Sequence, residues 1–400
     1  MKILVLGSRI PWPLHDGGAI ATYRMIKGLA EAGAAITYFS YNTRKHFQSQ
    51  VSLQERFPFC KVIPFELDAT PTAKGALLAL LQGKNYNISR FESQKAAAQV
   101  AELCANEKFD CIHVEGLFAF PLIAALKENR IPIILRGHNV EYEIWSRLAV
   151  TTANPLKKGY LQRLARGLKA YETAAVKQCD YVVAISEPDA AEFRHMHPKA
   201  NVIVVPGGIE VQAQEESVSV QEFSLCHIGS MEWRPNQEAV QWFIDSIWPR
   251  VLQEYPKATF HIAGKGLSKD DARFVANGVF NHGEVADAAV FMQQHAALVV
   301  PLHSGSGLRM KTVEAMALGT MVITSSVGLQ GLEAIPNTHL LLANTQEEWI
   351  QAITLVFLHP DRRKELAAVG KNWALSHFGY QNLAKDLLQQ YQQWIAIQSK

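Results

Sequence analysis

The stretch GSGLRMKTVEAMALGT, Gly305 to Thr320, places Arg309, Lys311 and Glu314 within six residues, just behind the glycine turn Gly305-Ser306-Gly307-Leu308. Apolar runs flank it, ALVVPL before and MVITSS after. Runs of this kind bounded by glycine read as strands covered on both faces, so the segment between them is the crossover helix of a βαβ unit. Its start then lies at the carboxyl edge of a parallel sheet, where open α/β sheets take ligands and free N–H groups favour an anion. Two cations at a helix N-terminus oppose the macrodipole unless an anion lies among them. Glu314, almost one turn beyond Lys311, suits a sugar hydroxyl pair such as a ribose, while Met310, Val313 and Ala317 keep an inward stripe. The chemistry so read is recognition of a nucleoside diphosphate. Two familiar phosphate motifs fail here. Met310 stands where a P-loop needs glycine, and no third glycine or strand-end acid completes a dinucleotide fingerprint.

Three further segments carry candidate polar groups. IILRGHNVEYEIW sets Arg136, His138, Asn139 and Glu141 just past a buried strand, where leaving them unpaired would be costly. In LGSRIPWPLHDGGAIATYRMIKGLAEAG, Gly17 and Gly18 open a helix and let a backbone approach a phosphate or sugar closely. IAGKGL, with Gly264 and Gly266, and NHGEVAD, with Glu284 and Val285, are glycine turns in the second half that suit one crevice with the opening segment.

Positioning these groups requires parallel sheets. Eleven strand-like runs alternate with helical patterns: KILVLG, ITYFSY, CIHVEG, PIILRGH, YVVAIS and VIVVPG, then SLCHIGS, ATFHIAG, ALVVPL, MVITSS and HLLLA. Such alternation predicts sheets with helices on both faces, and 400 residues suit two domains. The break falls after VVPGGIE, whose Gly207 and Gly208 make a hinge, because the polar VQAQEESVSVQEF has no helical stripe. Expected domains are therefore 1–210 and 211–360. A strandless helical tail, 361–400, is expected to cross back to the first domain.

Composition narrows the class. The net charge of +2 argues against a nucleic-acid binder. Residues 1–210 hold 25 Lys/Arg against 19 Asp/Glu, and residues 211–400 hold 14 against 18. Part of the basic excess lies in KKGYLQRLARGLK, where Lys158, Arg163, Arg166 and Lys169 could share one helix face, either simply solvated or facing anionic lipid headgroups. Five scattered cysteines without a C-x-x-C pair read as reduced thiols. No cationic leader opens the chain and no apolar stretch approaches membrane-span length, so a cytoplasmic location is expected, with peripheral membrane contact.

The Gly-Gly loop, RGHN, VVAISE, VVPGGIE, IAGKG, GEV and EAMALGTMVITSSVG together resemble the retaining, nucleotide-sugar-dependent glycosyltransferases of family 4 type, essentially over the whole chain. HNVEYEIW and GSGLRMKTVEAMALG look closest to bacterial polysaccharide-cluster sugar transferases. The resemblance implies a GT-B fold, two Rossmann-like α/β domains facing across a cleft, and transfer of a sugar from a UDP- or GDP-sugar to a saccharide or lipid-linked acceptor with retention. Carried over by position, His138 faces the donor sugar, Gly17 and Gly18 the phosphates and Glu314 the ribose. Gly264, Gly266, Glu284, Val285, Ser306, Gly307 and Leu308 complete the donor site. Ser306 stands where the family has the first of two glutamates. The usual Arg/Lys pair of the second domain is reduced to Arg234 in IGSMEWRPNQ, a charge that Arg309 and Lys311 could supply, which makes them catalytic candidates beside His138. No Asp-x-Asp motif is present, so no metal and no cofactor is expected. Two other classes stay open: a sugar-nucleotide epimerase of the same fold and a non-catalytic sugar-nucleotide binder.

Overall fold

The computed structural model describes every residue except 15, 127–130, 211–217, 269, 306–307 and 399–400. The chain divides into two compact units, Met1–Gly208 with Tyr380–Lys400, and Ile209–Gly379.

The first unit is built on strands β1 (Lys2–Gly7), β2 (Ala35–Thr43), β3 (Lys61–Leu67), β4 (Cys111–Glu115), β5 (Ile133–Gly137), β6 (Tyr181–Ala184) and β7 (Asn201–Val204). They form one parallel sheet in the order β3-β2-β1-β4-β5-β6-β7. The second unit carries β8 (Gln221–Ile228), β9 (Thr259–Ala263), β10 (Val279–Asn281), β11 (His295–Val300), β12 (Met321–Thr324) and β13 (Leu341–Leu342). Its order is β10-β9-β8-β11-β12-β13, again all parallel. Central strands such as β4 and β11 are buried along their whole length, as helices on both faces require. In each sheet the winding reverses once, between β1 and β4 and between β8 and β11. The crevice outside the carboxyl ends of those strand pairs is the physical place for a ligand.

All eleven expected strands are present. The two others among the described residues, β3 and β10, are edge strands. KVIPFEL carries Pro64, which an edge tolerates, and β10 has only three half-exposed residues, so neither produces a strong apolar run.

The tail departs from expectation. The helix Pro360–Phe378 buries Leu366, Ala367, Ala374 and Phe378 in the cores of the second unit. Only the helix Tyr380–Gln398 belongs to the first unit, where Ala384, Leu387, Leu388, Tyr391 and Trp394 pack with Ile3, Val5 and Ile26. Trp394 stacks on Tyr181 with ring centroids 3.9 Å apart. Helical periodicity marks an apolar face but not the core that receives it, so the pattern could not separate the two helices. Among the described residues no helix is long and apolar enough to cross a membrane.

Candidate active-site residues

In the second unit, Lys311 is the second residue of the helix Met310–Leu318, which follows β11. Its ammonium donates to Asn236 Oδ1 at 2.8 Å and lies 3.2 Å from His227 Nε2. His227 is on β8, fully buried, and its Nδ1 donates to the Val299 carbonyl at 2.9 Å. Nε2 therefore keeps the lone pair that faces the ammonium. Burial, and then the Lys311 charge, holds the His227 pKa well below the usual histidine value. The Asn236 amide is oriented by the Ser230 carbonyl at 2.9 Å. Both partners of Lys311 are neutral, and an ammonium has a third donor to give. Burial and the nearby Arg309 charge pull the Lys311 pKa down to about 7. Among the described residues no carboxylate pairs with it, and a cation desolvated in this way is the group that an arriving anion stabilises most.

Arg309 caps the same helix start and is 6% exposed. Its guanidinium lies over the Trp233 ring, 5.1 Å from the centroid. Gly305 makes this possible. Its φ is +113°, and a Cβ there would sit 2.8 Å from the Trp233 ring and 2.9 Å from Arg309 Nη2. Glu314 is half-buried one turn along the helix, and Leu308 packs partly against the core cluster of the second unit. Ser306 and Gly307 lie outside the described residues.

Backbone hydrogen bonds lace the loops after β8, β9 and β10 together. Gly229 N–H donates to Ala263, Met231 N–H to Lys265 and Gly264 N–H to Gly283, at 2.7–3.0 Å. Gly264, at φ +149°, passes so close to Gly229 that a Cβ would lie 1.9 Å from its carbonyl oxygen. Gly266 stands beside Glu232, Glu284 is exposed, and Val285 leans on the core. Arg234 is not part of this group: it pairs with Glu238 at 2.6 Å with its side chain 85% exposed.

In the first unit a cavity of about 190 Å³ opens at the carboxyl ends of β1 and β4, lined by Arg9, Gly18, Glu115, His138, Asn139 and Glu141 among others. Glu115 ends β4 and is nearly fully buried. One carboxylate oxygen accepts from Arg136 Nη1 at 2.5 Å and from His138 Nε2 at 2.9 Å, the other from His113 Nε2 at 2.5 Å. Behind it, the Tyr391 hydroxyl reaches His113 Nδ1 at 2.8 Å. Burial pushes the Glu115 carboxyl up, but Arg136 first and then His138 outweigh it and hold the group well below the carboxylate range. A carboxylate only accepts, so His138 donates through Nε2 and its ring is fixed with Nδ1 left over.

The start of the helix Gly17–Glu31 is occupied from within. Asp16 accepts from Ala19 N–H at 3.0 Å and pairs with Arg9, which lowers its pKa. Gly18 still lines the His138 cavity, whereas Gly17 is exposed with no atom within 4 Å of where its Cβ would be. The helix Glu141–Thr151 has its first N–H groups taken by the Glu172 carboxylate, at 2.9 and 3.1 Å. Burial raises both Glu141 and Glu172 to about 7. A second cavity, about 450 Å³, shares Ser8, Arg9 and Phe118 with the first and adds Arg44, Lys45, His46 and Arg90.

Comparison with known proteins now decides the family. The family described as Glycosyl transferases group 1 matches residues 222–358, and Glycosyltransferase Family 4 matches residues 15–213. The chain belongs to the group 1 glycosyltransferases. Sucrose-phosphate synthase from Thermosynechococcus elongatus is similar over 99% of this chain and 100% of its own, with a TM-score of 0.63 at 17% identity. Anabaena HepE, solved in complex with UDP-glucose, aligns over 98% and 100% with a TM-score of 0.60 at 15% identity. These likenesses show the GT-B fold. A 44.6 kDa uncharacterized protein in the cps region of Klebsiella pneumoniae is 19% identical over 86% of this chain and 88% of its own length.

Several residues in contact with the candidates belong to no motif of the sequence. Glu115 and His113 were visible only as part of the strand run CIHVEG, although an acid ending a buried strand is a signal in itself. His227 in SLCHIGS is the same kind of signal. Asn236, Trp233 and Tyr391 leave no such trace, because only the folded chain brings them to Lys311, Arg309 and His113.

Proposed function

We propose that this glycosyltransferase moves a sugar from a nucleoside-diphosphate sugar, a UDP- or GDP-sugar, to a saccharide or lipid-linked acceptor with retention of anomeric configuration. The observation that carries the reading is Lys311, desolvated at a helix start between two neutral acceptors. There it and Arg309 would hold the diphosphate and stabilise the charge that grows on it as the glycosidic bond breaks. Glu314 would take the ribose hydroxyls, with the loops of Gly264, Gly266, Glu284, Val285 and Leu308 shaping the donor site. Ser306 and Gly307 belong to the same proposed turn.

His138, held through Nε2 by Glu115, would present its Nδ1 side to the donor sugar or leaving phosphate, with Gly18 beside it and Gly17 at the helix start. The adjoining basic cavity around Arg44, Lys45 and Arg90 suits an acceptor that carries a phosphate, as a lipid-linked one does, which favours contact with an anionic membrane surface. No metal or cofactor is proposed, so turnover should persist in a chelator.

A thermal-shift screen of nucleoside diphosphates and their sugars tests the donor. A ligand at 100 times its dissociation constant stabilises by about 2.7 kcal/mol, and absence of any shift with the whole set would refute the assignment. Product anomers read by NMR test retention: an inverted product ends that part of the proposal.

A further inference from the structure

We propose that the first unit docks on the surface of an anionic phospholipid bilayer through the helix Ala73–Leu81 and the basic part of the helix Pro155–Gln178. In AKGALLALL, Leu77, Leu78, Leu80 and Leu81 are 57, 47, 36 and 75% exposed, while the one buried residue is Ala79. A surface helix ordinarily turns its larger apolar side chains to the core. Here the small residue faces in and the leucines face out, and four so close together form a patch instead of the usual scatter. The helix is held in that orientation. The Thr72 hydroxyl caps Gly75 N–H, Thr72 exchanges two hydrogen bonds with the Tyr86 hydroxyl, and Asn85 donates to the Leu164 carbonyl at 2.8 Å.

Charge identifies the occupant. A cavity of about 400 Å³ adjoins the leucines, lined by Leu80, Lys84, Tyr86, Tyr160, Arg163 and Arg166 among others. Lys84 is paired with Glu92 at 2.6 Å. Arg163 and Arg166 are exposed, and among the described residues neither has a carboxylate partner. No Asp or Glu occurs from Thr70 to Gly83 or from Asn154 to Tyr171, while those segments hold Lys74, Lys157, Lys158, Arg163, Arg166 and Lys169. The single basic face expected from sequence is narrower than that, because Lys169 turns to the Tyr142 hydroxyl at 3.2 Å and to Glu192 at 3.8 Å. Leu156, 85% exposed one turn before Tyr160, extends the apolar rim.

Leucines that enter the acyl boundary, tyrosines at its polar edge and arginines at the phosphate level are the composition that an anionic bilayer surface binds. The inference deepens the proposed membrane-side acceptor and rests on that reading only for its purpose. Binding is measured without donor or acceptor, so failure here leaves sugar transfer to be judged by its own assay.

The test is flotation of the full chain with phosphatidylcholine vesicles, with and without about one third phosphatidylglycerol. The wild type should float with the anionic vesicles and less so in high salt. Arg163→Glu with Arg166→Glu should weaken that binding by about fivefold per arginine or more, and Leu77→Asp with Leu81→Asp by about tenfold or more. All four positions are exposed, and melting curves equal to wild type would confirm the folds. No wild-type binding to anionic vesicles, or variants that bind as well as wild type, would overturn the proposal. So would a lipid-free dimer that the leucine variant dissolves, since the patch would then be an interface between copies of the chain.

Discussion

The two units solve opposite electrostatic problems at the same place in the same fold. At the β1/β4 switch point the first unit buries a carboxylate, Glu115, and surrounds it with Arg136, His113 and His138 until the cluster is internally compensated. At the β8/β11 switch point the second unit desolvates an ammonium whose hydrogen-bond partners, among the described residues, are the neutral Asn236 and His227. The first arrangement pairs its buried carboxylate with a guanidinium and fixes the His138 ring through Nε2. The second holds a desolvated cation beside neutral partners, which is the condition under which an arriving anion stabilises most. Equivalent positions in a doubly wound sheet are therefore not electrostatically equivalent: one holds a buried carboxylate among cations and imidazoles, the other a buried ammonium among neutral groups.

The comparison is easiest to break at Glu115. Glu115→Leu leaves Arg136 buried without its partner, and removing one member of a buried pair typically costs about 3–5 kcal/mol. Calorimetry should show a large drop in the melting temperature of ligand-free protein. Lys311→Met should not behave that way, because no buried counter-charge is left behind. Its ligand-free melting temperature should stay near wild type or rise, and an equal loss in both variants would erase the contrast.

Next in size is His138→Ala. If the imidazole acts on the sugar or leaving phosphate, turnover falls by about 100-fold or more while diphosphate affinity and melting are retained. Near wild-type single-turnover transfer would end the catalytic role.

Lys311→Ala and Arg309→Ala should each weaken a nucleoside diphosphate by roughly 1.5–3 kcal/mol, the range for hydrogen bonds to charged groups. The bare nucleoside should hardly notice, as titration calorimetry would reveal. Equal losses for both ligands would remove these residues from the phosphates.

A pH measurement sharpens the same point. Burial and the Arg309 charge pull the Lys311 pKa down to about 7, and an anion bound beside it raises that pKa. Binding of a nucleoside-diphosphate sugar near pH 7 should then be accompanied by proton uptake, with affinity falling as pH rises toward the bound-state pKa. Calorimetry in buffers of different ionisation enthalpy reads the uptake, which Lys311→Met should abolish.

The smallest effect is expected from Glu314→Gln, about 1 kcal/mol on nucleoside and diphosphate alike. A normal nucleoside affinity in that variant would take the ribose away from Glu314.

By itself the sequence determined the two parallel sheets, their division near Gly208 and the placing of Arg309, Lys311 and His138 at carboxyl edges. Those features follow from short-range pattern: apolar runs bounded by glycine make central strands, and a parallel strand order puts every βα loop on one edge. Edge strands β3 and β10 escaped because a half-exposed strand has no strong pattern. Only the tertiary structure decided what surrounds each candidate. Asn236 lies 75 residues from Lys311, and Tyr391 lies 278 residues from His113. It also decided that Asp16 already occupies the helix start at Gly17, that Pro360–Phe378 and Tyr380–Gln398 serve different cores, and that the leucines of Ala73–Leu81 face outward. The reason is common to all of these: periodicity along a chain specifies which face of an element is apolar or charged, whereas the partner that face meets is set by packing between residues that no local pattern connects.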